Sequence, residues 1–288
     1  MKLIEPHYRL ENCGGKEWRF QESAEMLAAT EKFDALLEKT FNSPGLAALY
    51  KILKKHPNHI DVLHHYASLL QNEGKHLEGL AFSQMAVAVG MKAFPKQFVI
   101  GQDTLPTGFI ANRPFLRALH GLMLAQKTVD LMEDAIATGE TCLALDHQDR
   151  MGARESLANY LMESGRDRAT LELFENPTYK DTFFATEYLH VLALIRLGQE
   201  QQARDLLRKR LHYYPQVARF ILNHRLPQPI NEDRFGGIIS GSELEGWIHA
   251  RYFGSLWRSN RVAVKILREE SRPYTEQNWK RYLNQPNS

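Results

Sequence analysis

The stretch IDVLHHYASLLQNEGKHLEGLAFSQMAVAV, residues 60–89, decides the fold. Leu63, Tyr66, Ala67 and Leu70 recur at three- and four-residue intervals, which places them on one face of a helix. Gly74 interrupts the pattern, and Gly79, Phe82, Ala86 and Val89 restart it on a second helix. Gly79 belongs to a wider ladder of small residues: Gly45, Gly79, Ala135, Ala169 and Ala203. Three of the four intervals are 34 residues; the fourth is 56, which is 34 plus 22. Two helices approach closely only where one lacks a bulky side chain, so a small residue at a fixed period predicts stacked helical hairpins with one insertion.

Counted from Ile60, the unit carries Leu63, Tyr66, Ala67, Leu70, Gly74, Gly79 and Ala86 at places 4, 7, 8, 11, 15, 20 and 27. That arrangement resembles the tetratricopeptide repeat (TPR), a helix–turn–helix unit of 34 residues. The unit ending at Pro215 is similar, with Val191, Leu194, Gly198, Ala203 and Leu207. Leu119, Leu122, Ala135, Cys142 and Leu145 fit another, although Asp130 stands where the turn glycine is usual. Leu157, Ala158, Leu161, Gly165 and Ala169 fit a fourth, with a second helix ended by Asn176-Pro177. A first unit, at about 21–57, keeps Gly45, Leu49, Ile52 and Pro57. The run Asn112–Gly121 also resembles runs in bacterial TPR proteins that carry an insertion between repeats. The resemblance implies an all-α, right-handed superhelical solenoid of about five helix pairs with a helical C-terminal cap.

Three segments are expected. Residues 1–20, with Pro6, Gly14 and Gly15 and no sustained period, read as an irregular lead-in. Residues 21–229 form the repeat array, within which Asn42-Ser43-Pro44 stops one helix and starts the next with Ser43 as N-cap. The array is interrupted at about 91–113 by a segment holding Phe94, Pro95, Phe98, Gly101, Pro106, Gly108 and Phe109. Its aromatics exclude a flexible linker, leaving either a plug between repeats or a segment laid across a ligand site. Residues 230–288 form the cap, opened by a capping box of Ser240 and Glu243, with helices through Trp257 and from about Asn260 to Glu270.

Composition bounds the rest. With 288 residues, 43% hydrophobic and 24% charged, the chain is long enough for a substantial or extended core. A net charge of +2 provides no global pull toward nucleic acid or anionic membrane. The charge is uneven, since Arg251 to Ser288 holds eight Lys or Arg against three Glu. Cys13 and Cys142 are too few for a disulfide framework, which suits a reducing cytoplasm. Neither a signal peptide nor a membrane-spanning run is expected.

No metalloprotease, phosphate-binding or nucleophile-elbow motif occurs, so the chain is expected to be non-catalytic and free of cofactor and metal. The alternative is an enzyme with a site between the 91–113 insertion and the groove, which would need His64, His120 and Glu155 buried and hydrogen-bonded to one another. His56, His59, His64, His65 and His76 lie within 21 residues, but His56 and His59 fall at a turn while His64 and His65 diverge around a helix. Cys13 has no base nearby in sequence, and Cys142 occupies a small core position. The basic end interleaves Arg251, Arg258, Arg261, Lys265, Arg268, Arg272, Lys280 and Arg281 with Trp247, Tyr252, Phe253, Trp257 and Trp279. A solvated basic face over a buried aromatic one accounts for it; an accessory nucleic-acid site is the alternative.

The resemblance points instead to the groove. In TPR proteins the first helix of each pair lines the concave side and commonly holds the ligand. The corresponding positions are His64, Ser68 and Gln71; then Arg117, His120 and Lys127; then Glu155 and Asn159; and finally Tyr188 and Arg196. A mixed polar lining suits a protein or peptide partner, which makes the expected role that of an adaptor or scaffold. The Lys and Asn clamp of chaperone-binding TPR proteins is absent, since His64, Ser68, His120 and Leu124 occupy its places.

Overall fold

The computed structural model describes residues 7–179, 186–233 and 237–274. It divides into two compact units, residues 1–160 with 178–180, and residues 161–177 with 181–288.

The first unit opens with a β-hairpin, β1 (Tyr8–Gly14) and β2 (Glu17–Glu22), paired antiparallel with Leu10 opposite Phe20. The expectation of an irregular lead-in is therefore corrected. Tyr8, Leu10, Trp18 and Phe20 alternate with charged or polar neighbours and are buried, as a two-residue period requires. Gly14 and Gly15 take positive φ of 118° and 57° at the turn, a conformation that glycine adopts without strain. Next come α1 (Ala24–Lys39), α2 (Leu46–Leu53), α3 (Ile60–Asn72) and α4 (His76–Met91). A short 3-10 turn (Ile110–Asn112) leads into α5 (Arg113–Thr128), α6 (Met132–Leu145) and α7 (Ala153–Glu163), whose last turn passes into the second unit.

The second unit holds α8 (Asp167–Glu175), α9 (Thr186–Arg196), α10 (Glu200–Tyr213), α11 (Pro215–Leu222), α12 (Glu243–Arg258) and α13 (Arg261–Ser271). The fold is all-α apart from the hairpin, and α3/α4, α5/α6 and α9/α10 each pack as pairs. In the first unit α3 also packs on α5, so successive first helices touch as stacked hairpins require.

One turn, used four times, defines the repeat. At Gly74, Asp130, Gly165 and Gly198 the backbone takes φ of 76°, 61°, 72° and 75°. The following residue donates its N–H five residues back, from Lys75 to Leu70, Leu131 to Gln126, Arg166 to Leu161 and Gln199 to Leu194. These are Schellman closures, which satisfy the last carbonyls of the first helix. Lys75, Leu131, Arg166 and Gln199 then share φ between −85° and −90° and ψ between 52° and 64°.

The small-residue ladder is partly retained. Gly79, Ala135 and Ala203 are buried, and a methyl on Gly79 would meet the Gln71 side chain. Ala169 is half-buried beside a fully buried Thr170. Gly45 departs from the ladder: it is the exposed N-cap of α2, with open space around its Cα. Ser43 accordingly does not cap that helix. The first pair also lacks the shared turn, since α1 ends with Thr40 and is followed by positive φ at Phe41 and Asn42.

Other caps follow ordinary chemistry. Ser23 accepts from Met26, and Asn260 accepts from Ala263 as the expected start of α13. The predicted capping box lies two residues later than expected, because Ser242, not Ser240, accepts from the N–H of Glu245. The Glu245 carboxylate in turn accepts from Gly241.

Candidate interaction surface

The insertion is knitted to the hairpin. The N–H of Leu10 donates to Ala93 O, that of Trp18 to Thr104 O, and that of Thr104 back to Lys16 O. Phe98 packs edge-on against Trp18 at 5.7 Å, and Phe94 packs against Phe20 and Phe115. Phe94 and Phe98 therefore fill the space between the hairpin and α5, rather than the gap between two repeats expected of a plug.

The insertion also reaches the end of α6, where Leu105 N–H donates to Leu145 O and Thr107 N–H to Asp146, and the run Asn112–Gly121 packs beside it. Asn112 is fully buried; its Oδ1 accepts from Phe20 N at 2.9 Å, while its Nδ2 donates to Trp18 O and Pro106 O. Pro114 sits in the first turn of α5, where its missing N–H costs nothing. The Phe115 ring occupies the space that a side chain at Gly90 would need, so α4 and α5 approach closely there. Arg117 makes a two-pronged pair with Asp61 of α3 at 3.3 and 2.6 Å. Gly121 leaves room for the ring of His64, whose Nδ1 would lie 2.8 Å from an added methyl.

The histidines of α3 follow from the same packing. His59 caps α3 by accepting the Val62 N–H on Nδ1. That bond fixes the proton on Nε2, which donates to Thr30 Oγ1, and Thr30 donates to Glu22. Burial drives His59 and His64 down to about 4, and burial also lowers His120. Both His64 and His120 are therefore neutral at pH 7, and no hydrogen bond joins them to each other or to Glu155. Among the described residues no cluster of His, Cys, Asp and Glu is arranged to hold a metal ion.

The groove positions fall into two sets. Gln71 Oε1 accepts from His76 Nδ1–H at 2.9 Å, and Arg117 is held by Asp61, so both work inside the array. Asn159 is buried at 2% exposure. Tyr188 is not on a groove wall: it is fully buried, donates to Tyr214 O at 2.9 Å and packs edge-on against Trp257. Arg196 donates to Met162 O and Asp167 and reaches Leu256 O, which ties three segments of the second unit together. The second unit thus spends its two candidates on its own core. In the first unit His64, Ser68, His120, Lys127 and Glu155 keep partly exposed surface on α3, α5 and α7, with the Lys127 ammonium 5.8 Å over the Tyr160 ring and Leu124 39% exposed beside it.

The family model "Tcf25: Transcriptional repressor TCF25" matches residues 18–236, which is 219 of the 288 residues. The chain belongs to the Tcf25 family. The match begins within β2 and ends before α12, so most of β2, the insertion and helices α1 to α11 lie within the region shared with Tcf25 proteins, while β1, α12 and α13 lie outside it. It does not bear on the bacterial likeness of residues 112–121. No curated protein matches the chain. Solved structures include YrrB, described as a TPR protein with an unusual peptide-binding site, at 12% identity, covering 83% of this chain and 97% of its own, with a TM-score of 0.48. A putative kinesin light chain from Podosopora anserina with nearly identical TPR-like repeats matches at 19% identity, 78% and 98% coverage and a TM-score of 0.43. At these scores the helix-pair assignment rests on the packing and turns above.

Proposed function

We propose that this Tcf25-family chain is a non-catalytic scaffold that holds a protein or peptide partner on the α3, α5 and α7 face of its first unit. One observation carries the reading. After internal contacts are met, Ser68, Lys127 and Glu155 remain partly exposed, one on each of three first helices, beside the partly exposed His64 and His120. A surface of hydroxyl, ammonium, carboxylate and neutral imidazole groups suits a peptide backbone and its side chains better than a lipid. The side chains stand on packed helices, so little conformational freedom is lost when a partner binds. A family described by transcriptional repression would act through such contacts with other macromolecules. Two cysteines suit the nucleus as well as the cytoplasm, both being reducing.

The test is capture from native lysate with the wild-type chain and with Lys127→Glu/Glu155→Lys. Loss of a stoichiometric partner by a variant whose circular dichroism and cooperative unfolding are retained supports the face. Retention of every partner by the variant places binding elsewhere.

A further inference from the structure

We propose that the cationic stripe of α13, with the end of α12, binds the phosphate backbone of a single-stranded nucleic acid. Arg261, Lys265, Arg268 and Arg272 follow one another at four, three and four residues, which sets them along one side of α13 and its C-cap. At 1.5 Å per residue they span about 16 Å. Arg258 joins them around a concavity of about 380 Å³ whose other lining residues are Val264 and Glu269. All five cations are exposed. Lys265 reaches Glu269 at 3.9 Å, and among the described residues no carboxylate pairs with the four arginines.

The reason lies on the opposite side of the same helix. Glu269 is held by Arg204 at 2.9 Å, and Glu270 by Arg204 and Arg208 at 2.7 Å each. Glu270 is thus turned onto α10 and Glu269 is shared between Arg204 and Lys265, while Ala263, Ile266 and Leu267 are buried beneath the helix. What remains outward is uncompensated positive charge on a fixed support. Partial burial and then the neighbouring Arg251 hold Arg258 below its usual range, which reflects that crowding.

Four of the five cations are arginine, whose planar fork meets phosphate oxygens two at a time. A face made for membrane would carry bulky apolar side chains among its cations, whereas Val262 and Val264 are the aliphatic residues here. A concave surface follows a pliable single strand.

The test is fluorescence anisotropy of the full chain with labelled 12-mers of oligouridylate and oligodeoxythymidylate. Neutralising four phosphates predicts an affinity that falls about fifty-fold between 50 and 200 mM salt. Arg261→Gln/Arg268→Gln/Arg272→Gln, with unchanged circular dichroism and melting, should weaken binding at least tenfold; Arg→Lys at the same three sites should weaken it less. Binding by either oligomer with these properties supports the site and identifies RNA or DNA as the better ligand. No binding at 50 mM salt, binding that survives the triple Gln change, or equal or tighter binding of polyglutamate or phosphatidylserine vesicles overturns it.

Discussion

The side-chain oxygen of Asn112 accepts the backbone N–H of Phe20, 92 residues earlier, at 2.9 Å. With the two bonds from its amide nitrogen, this one residue joins the hairpin, the insertion and the start of α5. Asn112→Leu leaves the buried N–H of Phe20 and C=O of Trp18 without this partner, while Pro106 O keeps the N–H of Phe109, and is expected to destabilise by about 2–4 kcal/mol, read by denaturant unfolding. An effect below half a kcal/mol would mean that the hairpin is held by its aromatics and its backbone bonds to Ala93 and Thr104 without Asn112.

The four matching turns make a paired prediction. Gly198→Ala forces a Cβ into left-handed backbone and should cost about 1–2 kcal/mol. Asp130→Gly relieves that conformation and should leave stability unchanged or raise it by up to about 1 kcal/mol. Thermal unfolding of the two variants reads the opposite signs.

Packing at the retained ladder is tested at Ala203, which has no exposed surface on α10. Ala203→Leu overpacks the contact and should destabilise by about 1–3 kcal/mol in chemical denaturation.

His59 sets a pH dependence. Its folded pKa, about 4, lies below its ordinary value of 6.5, so the unfolded chain binds more protons between these values. Its contribution is whole above pH 6.5 and is lost as pH falls toward 4. Asp149 acts in the opposite sense, being raised to about 6 by burial, so the difference between two proteins is the useful readout. His59→Asn keeps a capping acceptor without a titrating ring. Its melting temperature should fall less than that of the wild type between pH 7 and pH 5.

Arg196 and Lys127 separate structure from recognition. Arg196→Glu breaks bonds to Met162, Asp167 and Leu256 and should lower the melting temperature by more than Lys127→Glu, whose half-buried ammonium stands over the Tyr160 ring. Differential scanning fluorimetry of the two side by side decides it.

Much of this architecture was legible in the chain. Gly74, Gly165 and Gly198 mark turns that the backbone then repeats, and Asp130 fills the fourth because a short polar side chain tolerates left-handed backbone. The hairpin was missed although Tyr8, Leu10, Trp18 and Phe20 alternate around a Gly-Gly turn; two short arms were too brief a period beside Pro6. Gly45 misled because a glycine serves an N-cap as readily as a helix crossing. Tyr188 and Arg196 are buried or bonded internally because repeat position does not encode what packs on a pair, and here α13 packs on α9 and α10 while Trp257 of α12 meets Tyr188. Positions in the basic end such as Trp279, Lys280 and Arg281 lie outside the described residues.

Hydrogen–deuterium exchange of the chain with and without its captured partner tests the central claim most directly. The account predicts slowed exchange in residues 60–72, 113–128 and 153–163, with 186–222 unchanged. Slowing confined to 186–222, or absent from all three first-unit helices, would contradict it.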